Sequence, residues 1–202
     1  GIQDAWMRGQ SAKMGETLDY FENSRRAVYA QQKYAHDNPG GWAGYSSEVW
    51  GLTACDGPGD FTTTIEGRER TFYSYSARGP GERDDGTIAP TAAASSIAFA
   101  PEIVVPCIKA MKRHYGRALY TEWGFLDAFN PTLKSYEGEL KHGKFVDDLG
   151  WFAEDYLGID QGPIVIMTEN HRNELVWWHM REEPNIRRGL EVAGFTGGWL
   201  SA

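Results

Sequence analysis

The chain has 202 residues, 41% of them hydrophobic and 24% charged, a balance that is typical of a globular domain with enough apolar material for a core. Its formal net charge of −8 argues against a surface that follows the phosphates of a nucleic acid. Two cysteines are too few for a disulfide framework, and no apolar run approaches the roughly 20 residues that a membrane-spanning helix needs.

The first half of the chain predicts one helix, a loop region and a hairpin. Residues 16–36 form the predicted helix, because tyrosines and alanines recur there near helical spacing and DNPGG follows as a stop signal. Residues 42–90 are rich in Gly, Asp and Pro, which favours irregular structure, with one short helix predicted in SSEVWGLTAC. TTTIEGRERTFYSYSA alternates β-branched, aromatic and polar residues and predicts a short β-hairpin.

The second half predicts further helices. TAAASSIAFAP and PEIVVPCIKAMKRHYG are two helical segments, the second beginning at Pro101, bent at Pro106 and ending at Gly116. YTEWGFLDAFNPT has too many large aromatic residues for an ordinary linker and predicts a functional loop. VDDLGWFAEDYL predicts a helix, and a last helix is predicted in NIRRGLEVAGF after a break at Pro184. The chain is therefore predicted to be mainly α, with long loops.

The stretch GIDQGPIVIMTENHR places an ionisable Asp in front of an apolar helix. Pro163 fits the first helical position, so this helix is predicted from there to about Arg181, with Asp160 just before its first turn. Apolar residues cover a wide arc of the helix, which predicts an inner helix of a larger assembly. Because the positive end of a helix favours a charged carboxylate, Asp160 is predicted to act as a base.

Acidic residues in aromatic loops carry the clearest indication of chemistry. The chain has eight Trp, ten Tyr and nine Phe, and Asp56, Asp85, Asp127 and Asp160 lie in or beside aromatic segments. Hydrolysis of a glycosidic bond uses one carboxylic acid and one carboxylate, and aromatic faces bind sugar rings. The alternative for any single Asp is a helix cap or a turn, and Tyr45 and Trp50 are equally well core residues. The clustering favours a saccharide site.

Signatures of other chemistries are missing from the sequence. The five His are scattered without a His-Glu-x-x-His pair, so no metal ligand and no cofactor is predicted. GPGERDDG lacks the Lys-Ser/Thr ending of a phosphate-binding loop, and the sequence has no Gly-x-Ser-x-Gly elbow. Phosphate binding and acyl transfer by a serine therefore have no support.

A family resemblance extends over nearly the whole chain. The stretches that carry it are DYFENSRRAVYAQQKYAHDNP, GYSSEVWGLTACDGP, DGTIAPTAAASSIAFAPE, WGFLDAFNP, YLGIDQGPIVIMTENHR and GLEVAGF. In this order they resemble the glucoamylase-like family of bacterial glycoside hydrolases, a group that includes endo-β-1,2-glucanases. The resemblance implies an α/α barrel, in which six inner and six outer helices surround a cleft at one end.

The number of predicted helices differs from that of a complete barrel. About six helices are predicted here, and 202 residues are too few for twelve with such long loops. We therefore expect residues 1–202 to form one domain that is the C-terminal half of an α/α-barrel catalytic domain. The N-terminal half of the same domain is then its expected partner. The chain begins without Met, which also leads us to expect an upstream segment.

The resemblance implies roles for individual residues. Asp160 matches the family's candidate catalytic base, whereas the family's general acid is a Glu upstream of the motifs present here. The residues that we expect to bind substrate are Tyr45, Trp50, Asp56, Asp85, Thr87, Asp127, Asn130 and Gln161.

The leading hypothesis is a glycoside hydrolase that cleaves a bacterial glucan, with β-1,2-linked glucan as the first substrate to test and Asp160 activating water. Two alternatives stay open: a glucoamylase that acts on α-linked glucan, and a non-catalytic glucan-binding module. The isolated chain is expected to be inactive, because half a barrel exposes its inner helices. The family leads us to expect a periplasmic or extracellular location.

Overall fold

Helices dominate the computed structural model, which describes residues 3–4 and 19–201. The described residues contain six α-helices and three short 3₁₀ segments. In chain order the α-helices are α1 (Tyr20–Asp37), α2 (Pro90–Ala94), α3 (Pro101–Tyr115), α4 (Gly158–Asn173), α5 (Leu175–Glu182) and α6 (Pro184–Val192). The predicted mainly α class is confirmed, and the α/α barrel stays a prediction.

Short antiparallel strands occupy the connections between the helices. The strands are β1 (Gln3–Asp4), β2 (Ala54–Asp56), β3 (Phe61–Ile65), β4 (Arg68–Phe72), β5 (Tyr75–Ala77), β6 (Tyr120–Thr121), β7 (Gly124–Phe125), β8 (Phe129–Asn130), β9 (Lys144–Val146), β10 (Gly150–Phe152) and β11 (Phe195–Thr196). Strand β10 pairs with β8 on one side and β9 on the other, and the remaining pairs are β1 with β11, β2 with β5, β3 with β4, and β6 with β7. Paired strands therefore build much of the region expected to be irregular.

The predicted first helix and hairpin are both confirmed. Asp19 caps α1 by accepting hydrogen bonds from two amides of the first turn, and Asn38 ends the helix in the left-handed conformation. Residues 16–18, which were also expected in this helix, lie outside the described residues. Strands β3 and β4 are joined by Glu66 and Gly67, whose φ angles of 51° and 76° are those of a two-residue hairpin turn.

Two segments predicted to be helices form no α-helix. SSEVWGLTAC bends at residues 46–49 and then leads into β2 with both Trp50 and Leu52 buried, and a Cβ on Gly51 between them would lie 2.6 Å from the Ala89 carbonyl oxygen. This close approach of two backbones requires glycine and excludes a helix there. VDDLGWFAEDYL forms one 3₁₀ turn and then β10, because Gly150 at φ 117° redirects the chain into the sheet.

The helix that carries Asp160 begins and ends earlier than predicted. Helix α4 starts at Gly158, so Asp160 lies inside its first turn and Pro163 lies further along the helix. Glu174, at φ 57°, adopts the left-handed conformation and separates α4 from α5. The single helix predicted from Pro163 to about Arg181 is therefore two helices.

The main core lies between α3 and the three-stranded sheet. Val104, Cys107 and Met111 of α3 have no exposed surface. Phe129 of β8 stacks on Phe152 of β10, with the ring centroids 5.6 Å apart. Removal of these large apolar surfaces from water stabilises the arrangement. The core thus fixes β8 and the loop that directly precedes it, which carries Asp127.

We expect Gly143→Ala to destabilise the protein by about 1–3 kcal/mol more than Gly67→Ala does. Both glycines have positive φ, 67° and 76°, so both substitutions introduce similar backbone strain. A Cβ on Gly143 would lie 2.2 Å from the Phe152 carbonyl oxygen, whereas no described atom lies within 4 Å of one on Gly67. Urea unfolding of the full-length protein measures the difference, and equal free energies of unfolding would contradict the close contact at Gly143.

An apolar face of α4 and α5 is exposed in the described part of the chain. Ile159 and Val165 of α4 are 81% and 66% exposed, and Trp178 of α5 is 53% exposed. The helix expected to be an inner one is therefore not covered by the described residues. Within these same residues, no helix is both long enough and apolar enough to cross a membrane.

Candidate active site

A cavity of 290 Å³ lies at the N-terminal end of α4. Its walls come from β2, α2, the loop before β8 and the first turns of α4. The lining residues are Thr53, Ala54, Cys55, Asp56, Tyr75, Thr91, Ala92, Ser95, Asp127, Leu157, Ile159, Asp160 and Pro163. Three of these described residues are aspartates and none is basic, so the cavity concentrates negative charge.

Asp160 is held in the first turn of α4 and is only 6% exposed. The Thr91 hydroxyl of α2 donates a hydrogen bond of 3.2 Å to the Asp160 carbonyl oxygen, which joins the two helices at this point. The carboxylate Oδ2 is buried and has no donor among the described residues. The backbone of this residue is thus fixed, while its carboxyl group is left with capacity to accept a proton.

Asp127 faces the same cavity from the loop between β7 and β8. Its amide donates a hydrogen bond of 3.1 Å to the Asp155 carbonyl oxygen, and its Oδ2 accepts one of 2.9 Å from the Asp56 amide. Asp127 is 2% exposed, and its Oδ1 is buried with no donor in the described part of the chain. One carboxyl group therefore links β2 to the loop before β8.

The two buried carboxyl groups influence each other's protonation. Burial raises the pKa of Asp127 to about 7, the Asp56 amide opposes this rise, and the neighbouring Asp160 carboxyl adds to it. Burial also raises the pKa of Asp160, with an opposing hydrogen bond from Asp127 and a further rise from the charge of Asp56. Burial thus acts on the pKa of Asp160 in the direction opposite to the helix end, which was expected to favour the charged carboxylate.

A buried ion pair holds β2 in place next to the cavity. Arg78 donates from Nε to Asp85 Oδ1 at 2.7 Å and from Nη2 to Asp85 Oδ2 at 2.8 Å, and neither side chain has exposed surface. Arg78 Nη1 also donates to the Cys55 carbonyl oxygen at 2.7 Å, one residue before Asp56. Sequence reasoning missed Arg78, because a single Arg at the end of a hairpin belongs to no motif.

Asp85, Thr87 and Asn130 form a buried hydrogen-bonded group. Asn130 Nδ2 donates to the Asp85 carbonyl oxygen at 2.9 Å and to the Thr87 hydroxyl at 3.1 Å. None of the three residues has exposed surface. Since a fully buried side chain does not contact a saccharide in a cleft, we assign these residues to support of the loops instead of the expected substrate binding.

Tyr45 and Trp50 belong to the core as well. The Tyr45 hydroxyl, the Trp42 indole N–H and the Tyr34 hydroxyl all donate to the carboxylate of Asp84. Trp50 is 1% exposed. Of the two interpretations that the sequence left open for these aromatic residues, the structure favours core packing.

Two of the expected substrate-binding residues lie where solvent reaches them. Asp56 is partly exposed and lines the cavity. Gln161 Nε2 donates a hydrogen bond of 2.7 Å to the Phe125 carbonyl oxygen, which attaches the hairpin of β6 and β7 to α4. Trp123, in the turn of that hairpin, is 73% exposed. An exposed Trp offers the flat apolar surface on which sugar rings stack.

The chain belongs to the glycoamylase family, described as "Putative glucoamylase", whose sequence model matches residues 1–184. The resemblance stated from the motifs is thereby confirmed.

Particular relatives are longer than this chain. A putative glucoamylase from Bacteroides uniformis is 36% identical, with a TM-score of 0.74 over 99% of this chain and 38% of that chain. An endo-β-1,2-glucanase from Chitinophaga pinensis, solved with sophorotriose and glucose, is 30% identical, with a TM-score of 0.71 over 99% of this chain and 38% of that chain. The exo β-1,2-glucooligosaccharide sophorohydrolase of Parabacteroides distasonis is 31% identical over 174 residues, which cover 86% of this chain and 20% of that protein.

Proposed function

We propose that the protein hydrolyses β-1,2-linked glucan, with Asp160 activating the attacking water. The observation that carries the proposal is the pair of buried carboxyl groups, Asp160 and Asp127, in one cavity at the start of α4. Two relatives named for action on β-1,2-linked glucose, the endo-β-1,2-glucanase and the sophorohydrolase, support the choice of linkage.

Asp160 has the properties of a general base. Burial raises its pKa, so the carboxylate binds a proton more tightly than an exposed Asp does. The ionised group would remove a proton from water while the water oxygen attacks the anomeric carbon. The glycosidic oxygen would leave with a proton from an acid, which we assign to the upstream Glu that the family resemblance implies.

We further propose that the N-terminal half of the same domain covers the exposed apolar face of α4 and α5. The relatives' greater length and the exposure of Ile159, Val165 and Trp178 support this arrangement. We expect the 202-residue chain produced alone to release no sugar from β-1,2-glucan and to aggregate, because its apolar face is uncovered. Reducing-sugar assays and light scattering check this, and hydrolysis by the isolated chain would contradict it.

A specific observation supports a second candidate substrate. The family description names glucoamylases, which favours α-linked glucan as the alternative. A non-catalytic glucan-binding module is the alternative from another class of protein, since the required acid is not among the residues described here. A periplasmic or extracellular site of action, expected from the family, is part of the proposal in either case.

A product assay on the full-length protein tests the proposal. β-1,2-Glucan and starch are offered side by side, and NMR follows the anomer that is released first. We expect release from β-1,2-glucan with inversion, as water activation by Asp160 requires, whereas retention would mean attack on carbon by a carboxylate. Release from starch alone would favour α-linked glucan, and binding without any product would favour the binding module.

A further inference from the structure

The pair of buried carboxyl groups indicates a role for Asp127 that differs from substrate binding. We propose that Asp127 is a positioning residue that retains its proton and donates it in a hydrogen bond to the Asp160 carboxylate, keeping that carboxylate ionised and fixed. This inference rests on the function proposed for Asp160 and names the residue on which that function depends.

The first argument comes from hydrogen-bond satisfaction. Oδ1 of Asp127 and Oδ2 of Asp160 are both buried, and neither has a donor among the described residues. Both carboxyl groups line the same cavity, and a hydrogen bond between the two side chains contributes to the pKa shift of each. Ionised carboxylates only accept hydrogen bonds, so two of them side by side would leave both oxygens unsatisfied. If one carboxyl group retains a proton, it can donate a hydrogen bond to the other.

The second argument concerns which group keeps the proton. Asp160 lies in the first turn of α4, where the partial positive charge of the helix end favours an ionised carboxylate. Asp127 belongs to the loop between β7 and β8 and is not itself part of a helix end, and burial raises its pKa to about 7. The proton is therefore retained on Asp127, and Asp160 is the member of the pair that is free to accept one from water.

Among the described residues, the lining of the cavity offers no cation that would offset two negative charges. Asp56 from β2 and Tyr75 from β5 line the same cavity, and no described lining residue is basic. Cys55 lines the same cavity, and burial raises the pKa of its thiol to about 12. Arg78, which donates to the Cys55 carbonyl oxygen, is paired with Asp85.

The placement of Asp127 favours support of Asp160 over direct contact with a saccharide. The residue is 2% exposed and is fixed by hydrogen bonds with Asp155 and with the Asp56 amide. Loss of the hydrogen-bond donor at Asp127 should therefore change the titration of Asp160 and leave substrate affinity almost unchanged.

Two variants of the full-length protein separate these roles. Asp127→Asn keeps an N–H donor toward Asp160, whereas Asp127→Ala removes it. In Asp127→Ala we expect the acidic limb of the kcat/KM profile to shift upward by about one pH unit or more, because a hydrogen bond to a charged group is lost. In Asp127→Asn the donor is kept, so the limb should stay close to its wild-type position. KM should stay within about twofold in both. A raised KM with an unshifted limb in both variants would overturn the proposal.

A second measurement does not need turnover. The pKa of Asp127 is 3.8 in the unfolded chain, and burial raises it to about 7 in the folded protein. Between these pH values unfolding releases a proton, so the free energy of unfolding falls as pH rises. From about pH 4.5 to 7.5, the unfolding equilibrium constant of the wild type should rise at least about tenfold relative to that of Asp127→Asn. Identical pH dependence in the two proteins would overturn the retained proton. If glucan hydrolysis is not found at all, the proposed function fails, and this measurement still decides the protonation of Asp127.

Discussion

Asp160→Asn in the full-length protein is expected to lower kcat on β-1,2-glucan by about 10²–10⁴-fold while KM stays nearly constant. The amide keeps the size of the side chain within the first turn of α4 but does not take a proton from water. A loss confined to kcat identifies an interaction that is made only in the transition state. Initial rates over a range of glucan concentrations measure both parameters.

Glu169→Gln is the matched control, because it removes a carboxylate from the same helix at a distance from the cavity. Glu169 forms a surface pair with Arg172 at 3.1 Å, so its loss should leave kcat within about twofold of the wild type. If both variants lost activity equally, damage to α4 would be the cause. Full activity of Asp160→Asn would exclude Asp160 as the base and direct attention to Asp56, the partly exposed carboxylate of the same cavity.

Arg78→Met is expected to lower the free energy of unfolding by about 3–5 kcal/mol, the range found when one partner of a buried ion pair is removed. The substitution leaves Asp85 without its cation in a place where neither side chain has exposed surface. It also removes the donor to the Cys55 carbonyl oxygen, so β2 loses an anchor next to Asp56. Urea unfolding of the full-length protein, followed by fluorescence, measures the change.

Arg113→Met serves as the comparison for this stability experiment. Arg113 pairs with Glu48 at 3.1 Å with both side chains exposed, so its loss should cost no more than about 1 kcal/mol. The double variant Arg78→Met/Asp85→Leu should recover part of the stability, because no unpaired charge remains. Recovery should be incomplete, since two backbone amides also lose their acceptor on Asp85. A cost for Arg78→Met as small as that for Arg113→Met would contradict the structural importance of the buried pair.

Elements with local causes could be predicted from the sequence. The hairpin of β3 and β4 follows from alternating side chains and a turn at Glu66 and Gly67. Helix α3 begins at Pro101 and stops at Gly116 because both signals act on the immediately adjacent backbone. Helix α6 begins at Pro184 for the same reason.

Elements with distant causes could not be predicted in this way. VDDLGWFAEDYL has helical composition, yet Trp151 pairs across the sheet with Asn130, a partner from a separate part of the chain. The extended path through Gly51 is set by its contact with Ala89, which is equally remote in sequence. Tertiary contacts overrode local preference at both places.

The residues of the candidate site could likewise be predicted only in part from the sequence. Motif position brought attention to Asp160, Asp127 and Asp56, and the structure places all three on one cavity. Burial then distinguishes their possible roles from that of Asp85, which the sequence grouped with them but which is fully enclosed with Arg78. Burial depends on the complete fold, so a pattern of carboxylates and aromatics indicates the site without separating contact residues from supporting ones.

The anchor between β2 and Asp127 uses the backbone amide of Asp56, not its side chain. Every residue except proline supplies that amide, so position 56 tolerates substitution without loss of the anchor. The Asp56 side chain faces the cavity, and its charge contributes to the raised pKa of both buried carboxyl groups. Substitution of Asp56 should therefore change the pH range in which the two buried carboxyl groups titrate, while the backbone hydrogen bond that holds Asp127 is kept.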